Sequence, residues 1–125
     1  MQTIGKNSEV LNYLSGNLSL LDATISKFEI SLVEDSLVGD SLNISIYFQL
    51  MKRTKTDIKV LLIFKEVIEY SFYHNSKYSF YYVEELKFFE TEGKFYFSGD
   101  PYHTEGVSEN DNDFIMSREL EGYIL

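Results

Sequence analysis

Cysteine is absent from these 125 residues, and proline occurs once, at Pro101. Without a thiol there is no disulfide, no thiolate metal site and no cysteine nucleophile. Basic residues are scarce: 11 Lys and Arg stand against 20 Asp and Glu, for a net charge of -9. Nucleic-acid backbones are bound by clustered Lys and Arg that release counterions, so DNA and RNA are not expected partners. No run approaches the ~18 consecutive apolar residues of a membrane span. Met1 to Tyr13 carries one Lys and no continuous apolar stretch of the secretory kind. The address expected from these absences is the cytoplasm, away from the membrane. The seven glycines are scattered, with no G-x-G-x-x-G or Walker spacing to cradle a phosphate.

Apolar side chains, in contrast, are plentiful. Hydrophobic residues make up 44% of the chain, including ten Phe and ten Tyr, which supplies a core for one domain spanning residues 1–125. The charge is uneven. Residues 84–125 hold eleven acids and only three bases, Lys87, Lys94 and Arg118, whereas residues 1–83 are close to neutral. Solubility alone accounts for such a bias, but an acidic face also steers a basic protein partner.

Hydrophobic periodicity points to strands. Asn7 to Leu14 has the spacing of a short helix, with Asn7 or Ser8 as its cap and Ser15-Gly16-Asn17 as its stop. From Ala23 to Val33 the period is two, with Ile25 out of phase, so a bulge is expected near Ser26-Lys27. Leu42 to Met51 alternates most cleanly, Leu42, Ile44, Ile46, Phe48 and Leu50 against Asn43, Ser45, Tyr47 and Gln49. Gly39-Asp40 marks the turn before it, and Lys52 to Thr56 reads as a polar turn after it. Ile58 to Phe64 is apolar on both faces and therefore central. Further strands are expected at Val67–Tyr73, Tyr78–Val83, Leu86–Phe89, Phe95–Phe97, Phe114–Ser117 and Gly122–Leu125. Glu92-Gly93 forms a tight hairpin among them, and Gly99 to Asp113 is one long irregular segment. The expected fold is mainly β: an antiparallel β-sandwich or curled sheet of seven to eight strands with a short N-terminal helix.

Chemistry-bearing constellations are few. Glu109, Asp111 and Asp113 open like a calcium loop, but Phe114 stands where the loop needs Gly and Leu120 where it needs Glu. A solvated turn fits better, and no metal or other cofactor is expected. His74 and His103 lie in separate predicted turns without an activated serine or a zinc-binding spacing. Glu84 and Glu85 are adjacent, so in a strand they would point to opposite faces and share no substrate. These readings argue against an enzyme. Aromatic density is the remaining signal: fourteen of the twenty Phe and Tyr lie between Phe64 and Tyr102. Cross-strand pairing and core absorb some of them. Tyrosines left at the surface offer a rigid apolar body with a hydroxyl, which suits an interface or a ligand face.

The text from Asp100-Pro101-Tyr102 through Ser108-Glu109-Asn110-Asp111-Asn112-Asp113-Phe114 to Ser117-Arg118-Glu119-Leu120 resembles small bacterial proteins of the immunity type, associated with polymorphic toxin systems. Leu21-Asp22-Ala23-Thr24-Ile25 is similar to their opening strand motif, with Leu21 where a His is expected. The resemblance implies a β-rich binding protein that neutralises a toxin, and it transfers no functional residue.

The sequence therefore leads to a non-catalytic protein-binding domain, with a protein partner of basic character and a homodimer as the self-associating form. The alternative is a small-ligand or carbohydrate-binding domain that uses surface tyrosines. The binding residues singled out are Tyr70, Tyr73, Tyr78 and Tyr82, together with Asp100, Glu109, Asp111 and Asp113.

Overall fold

A computed structural model describes residues 1–15, 18–34, 39–50 and 57–125. Its elements in chain order are β1 (Gln2–Lys6), α1 (Ser8–Tyr13), β2 (Thr24–Val33), β3 (Ser41–Leu50), β4 (Ile58–Ser71), β5 (Lys87–Thr91), β6 (Lys94–Asp100) and β7 (Asn112–Ile124). All strand pairs are antiparallel and belong to one open sheet, ordered β2-β3-β4-β7-β6-β5, with β1 added to β7. The curled sheet is thus the form taken, with seven strands among the described residues. None of the described helices is long and apolar enough to cross a membrane.

Register places the apolar residues on one face. Ile44, Ile46 and Phe48 of β3 stand opposite Phe64, Leu62 and Val60 of β4, and all six are fully buried. The sheet then curls over itself. Phe97 of β6 lies three strands from β3 in the sheet order, yet its ring meets Phe48 at 5.7 Å and Phe64 at 6.1 Å. Edge-on ring contacts of this kind add to the burial that drives the curl. The bend is carried by the two long strands: β4 has Glu66 at φ 52, and its ladder with β7 slips by one residue between Val67 and Glu69.

Helix α1 closes one end of the core by laying Val10 against Gly122 of β7, where the absent side chain makes room for it. Asn7 precedes the helix but does not cap it with its side chain. Its Oδ1 instead accepts the Leu120 amide at 2.9 Å while its own amide donates to the Leu120 carbonyl, which bolts the helix start to β7.

Several expectations hold and several are corrected. The helix, the bulge between Ile25 and Lys27, the strand Leu42–Leu50 and the hairpin at Glu92-Gly93 are all present. Glu92 and Gly93 both take positive φ, 50° and 74°, the conformation of a two-residue hairpin turn. Met51 and the polar turn Lys52–Thr56 lie outside the described residues, as do Gly16 and Asn17. The break expected after Phe64 is only a bulge, so Ile58–Phe64 and Val67–Ser71 are one strand. Likewise Phe114–Ser117 and Gly122–Ile124 are two ends of the single strand β7. Polar Arg118 and Glu119 fit its exposed flank without interrupting the ladder. Tyr78–Val83 is not a regular strand. It runs beside the start of β2 with one bridge, Thr24 to Tyr82, and its amide-carbonyl bonds there are Asp22 to Val83, Ile25 to Tyr81 and Val83 to Ala23. Strand β1 went unforeseen, because Gln2–Lys6 holds one large apolar residue and takes its order from β7.

Candidate functional site

Three strand ends meet at one edge of the molecule: the end of β4, the end of β6 and the start of β7. Two loops rise from them, residues 72–86 and 101–111, and between the loops lies a cleft of about 790 Å³. Tyr73, Lys77, Tyr78, Tyr82, Glu84 and Glu85 form one wall. Asp100, Pro101, His103, Asn112 and Asp113 form the other.

Local hydrogen bonding fixes each wall. Asn75 organises the first: its Oδ1 accepts the amides of Lys77 and Tyr78, both at 2.7 Å, and its Nδ2 donates to the Tyr73 hydroxyl at 2.7 Å. Asn favours such side-chain-closed turns, so Asn75 sets where two of the cleft tyrosines stand. Their rings remain open to solvent, Tyr73 at 61% and Tyr78 at 67%. The same stretch is anchored underneath by Val83, fully buried, and by Phe80, whose ring packs edge-on against Phe28 and Phe72.

Asp111 organises the second wall. Its carboxylate is buried and accepts four hydrogen bonds among the described residues. They come from Lys87 Nζ at 2.8 Å, the Tyr96 hydroxyl at 2.6 Å, the Tyr102 amide at 2.8 Å and the Ser108 amide at 2.9 Å. Burial disfavours its charge, but these donors outweigh that penalty and hold its pKa below the ordinary carboxylate value. Lys87 also donates to the Gly106 carbonyl at 2.8 Å, so one ion pair closes the loop on both sides.

Asp113 joins the walls. It adopts φ 49 at the start of β7, and its Oδ1 accepts the Tyr73 amide at 3.0 Å. Burial raises its pKa above the usual carboxylate value; the Tyr73 hydrogen bond opposes this, and the nearby negative charge of Asp100 adds to it. Asp100 in turn receives a long hydrogen bond of 3.4 Å from Asn112 Nδ2. Among the described residues, four carboxylates, Glu84, Glu85, Asp100 and Asp113, therefore line a cleft that carries a single ammonium, Lys77. An incoming cation would meet both the negative field and the side chains of three tyrosines.

Of the residues singled out from sequence, Tyr73, Tyr78, Tyr82, Asp100 and Asp113 are brought together here. Asp111 lies behind the wall as its internal anchor, with no exposed oxygen to offer a ligand. Tyr70 lies on β4 opposite Ile115, and Glu109 is exposed on the loop; neither lines the cleft. Glu84 and Glu85 correct the sequence reading: the backbone bends there instead of continuing as a strand, so neighbouring carboxylates line the same cleft. Lys77 and His103 are further wall residues that periodicity could not reveal. Asn75 followed two and three residues later by the backbone it closes on was the available signal. His74 rests near Phe80 and Tyr81 and outside the cleft. Among the described residues no cluster of His, Asp and Glu has the arrangement of a metal site.

Comparison with protein-family models, with curated proteins and with solved structures found no match to this chain.

Proposed function

We propose that this chain is a non-catalytic binding domain whose cleft receives a basic segment of a partner protein. The observation that carries the reading is the composition of one concavity: four carboxylates and three tyrosines against one lysine among the described residues. An arginine or lysine side chain satisfies both kinds of group at once, through Coulomb attraction and through contact with the ring faces. The acid excess of residues 84–125 extends that field beyond the cleft and favours rapid encounter with a positively charged surface. An immunity-type role, in which the partner is a toxin, is the specific form implied by the resemblance of the Asp100–Leu120 text. The second reading, carbohydrate binding, draws on the same tyrosines, since sugar rings stack on aromatic faces while carboxylates accept from hydroxyls.

Titration with Arg- and Lys-rich peptides, followed by residue-resolved NMR, separates the two. Shifts centred on Tyr73, Tyr78 and Tyr82 are expected, with affinity that falls as salt rises. Glu84→Gln and Glu85→Gln should each weaken binding by up to about fivefold. Response to neutral oligosaccharides with none to basic peptides would replace the first reading by the second. Response to neither would remove the cleft as a binding site.

A further inference from the structure

Strand β2 ends the sheet, and only its first two residues are covered on the outer side, by the Tyr81–Val83 stretch. From Lys27 to Val33 that edge has no partner strand among the described residues. The side chains that alternate along it are unusual for an open edge. Phe28, Ile30 and Leu32 stand opposite Ile46, Ile44 and Leu42 of β3 and so belong to the core face of the sheet. Phe28 is roofed by Phe72 and Phe80, but Ile30 remains 47% exposed and Leu32 61%. Natural sheets guard their edges with bulges, charges or proline. Here the bulge, the lysine and one acid fall between Ser26 and Glu29, and among the described residues no bulge, charge or proline guards Ile30 to Val33.

We infer that two copies of this chain pair through β2, antiparallel about a twofold axis at Ile30, to form one continuous sheet. The occupant follows from the symmetry and the charges of the segment. Phe28 and Leu32 are equidistant from Ile30, so the pairing sets Phe28 opposite Leu32 twice and Ile30 opposite itself, which extends both core faces across the junction. Opposing residues in such a pair share a face, as this one requires. Glu29 falls opposite Ser31, and Lys27 of one copy falls opposite Val33 of the other at each end. An axis one residue earlier would set two Glu29 carboxylates against each other. Lys27 and Glu29 already neutralise one another at 3.0 Å, so this edge carries no net charge in a chain of net charge -9.

The chain has no native cysteine, so single thiols report the register directly. Opposed residues of an antiparallel pair lie within the Cα separation that a disulfide spans. Ile30→Cys should therefore cross-link rapidly and quantitatively under mild oxidation, whereas Ser31→Cys and Asn43→Cys should not. Sedimentation equilibrium of the native sequence should give a dimer of the 14.6 kDa chain. Ile30→Lys places two ammonium groups at the axis and should raise the dissociation constant by roughly tenfold or more. Because position 30 is half-exposed in the single chain, its circular dichroism should stay unchanged. Leu32→Lys repeats the test should that variant misfold. A monomer at every concentration, or a dimer in which Ile30→Cys links no faster than the controls, overturns the proposal. Neither result bears on the cleft, which lies on other residues.

Discussion

The Tyr96 hydroxyl donates a 2.6 Å hydrogen bond to Oδ2 of Asp111, and that bond ties a fully buried strand residue to a loop with no regular structure. Tyr96 stands on the face of β6 opposite Phe95 and Phe97, between the rings of Phe89 and Phe114. Its hydroxyl is pushed above the ordinary tyrosine pKa, first by burial and then by the carboxylate it touches, so it remains a donor throughout the accessible range. The polar tip of a core tyrosine thereby becomes the foundation of one wall of the cleft.

Removing either partner should be costly, by different amounts. Tyr96→Phe keeps the ring packing and loses one hydrogen bond to a charged acceptor, roughly 1.5–3 kcal/mol. Asp111→Ala strands the buried Lys87 ammonium along with the hydroxyl and two amides, which should cost about 3–5 kcal/mol. In the double variant the losses should fall short of their sum, because both remove the same bond. Urea unfolding of the three variants measures this. The Asp111 pKa is depressed in the folded state, so its contribution is present above the unfolded value of 3.8 and should vanish as pH falls through the lower folded value.

Much of this architecture is legible in the sequence, and the illegible parts share a cause. Leu42 to Leu50 declares itself by strict alternation because one of its faces is core and the other is wetter. Glu92-Gly93 declares itself because few residue pairs tolerate two successive positive φ values. The continuity of β4 and β7 is hidden because β4 bulges after Val67 and is exposed from Ile68 to Ser71, while the buried positions of β7 shift phase between Ser117 and Leu120, so neither strand keeps one period. The cleft is hidden for a stronger reason. Its walls are positioned by Asn75 and Asp111 through hydrogen bonds to neighbouring backbone, and no periodicity records such bonds. Acid and tyrosine content pointed to five of its residues, while Glu84 and Glu85 depended on a backbone bend that only tertiary packing supplies.

Gly122 tests how closely the helix fits the sheet. A Cβ there would lie 3.1 and 3.2 Å from the two methyl carbons of Val10 and 3.4 Å from Leu62 Cδ2. Gly122→Ala should therefore lever α1 off β7 at a cost of about 1–3 kcal/mol. Val10→Ala alone should also destabilise, by leaving a void at the same place. Combined, the added methyl occupies the vacated space, and the double variant should be more stable than Gly122→Ala alone. Thermal unfolding of the series reads the outcome, and strict additivity would show that the two positions do not share that space.

Asp113 sets stability against binding, and the sign of the effect follows from its environment. Its folded pKa lies above 3.8, chiefly through burial and further through Asp100. A carboxyl shifted upwards stabilises the fold most when protonated, below the unfolded pKa, and that contribution is lost as pH rises through the folded value. At neutral pH the ionised group is therefore a net burden on the fold. Asp113→Asn removes the charge, keeps an oxygen to accept the Tyr73 amide, and suits φ 49, where Asn is among the better-tolerated residues. The variant should be more stable than the native sequence near neutral pH, and the gain should disappear by about pH 3. Its affinity for basic peptides should fall, since one of the four cleft carboxylates is gone. Urea unfolding at both pH values, paired with the peptide titration, checks the two halves together. Destabilisation near neutral pH that vanishes at the lower pH would show that the Tyr73 hydrogen bond depends on the full charge of Asp113, so that relief from burial and from Asp100 counts for less than the bond itself.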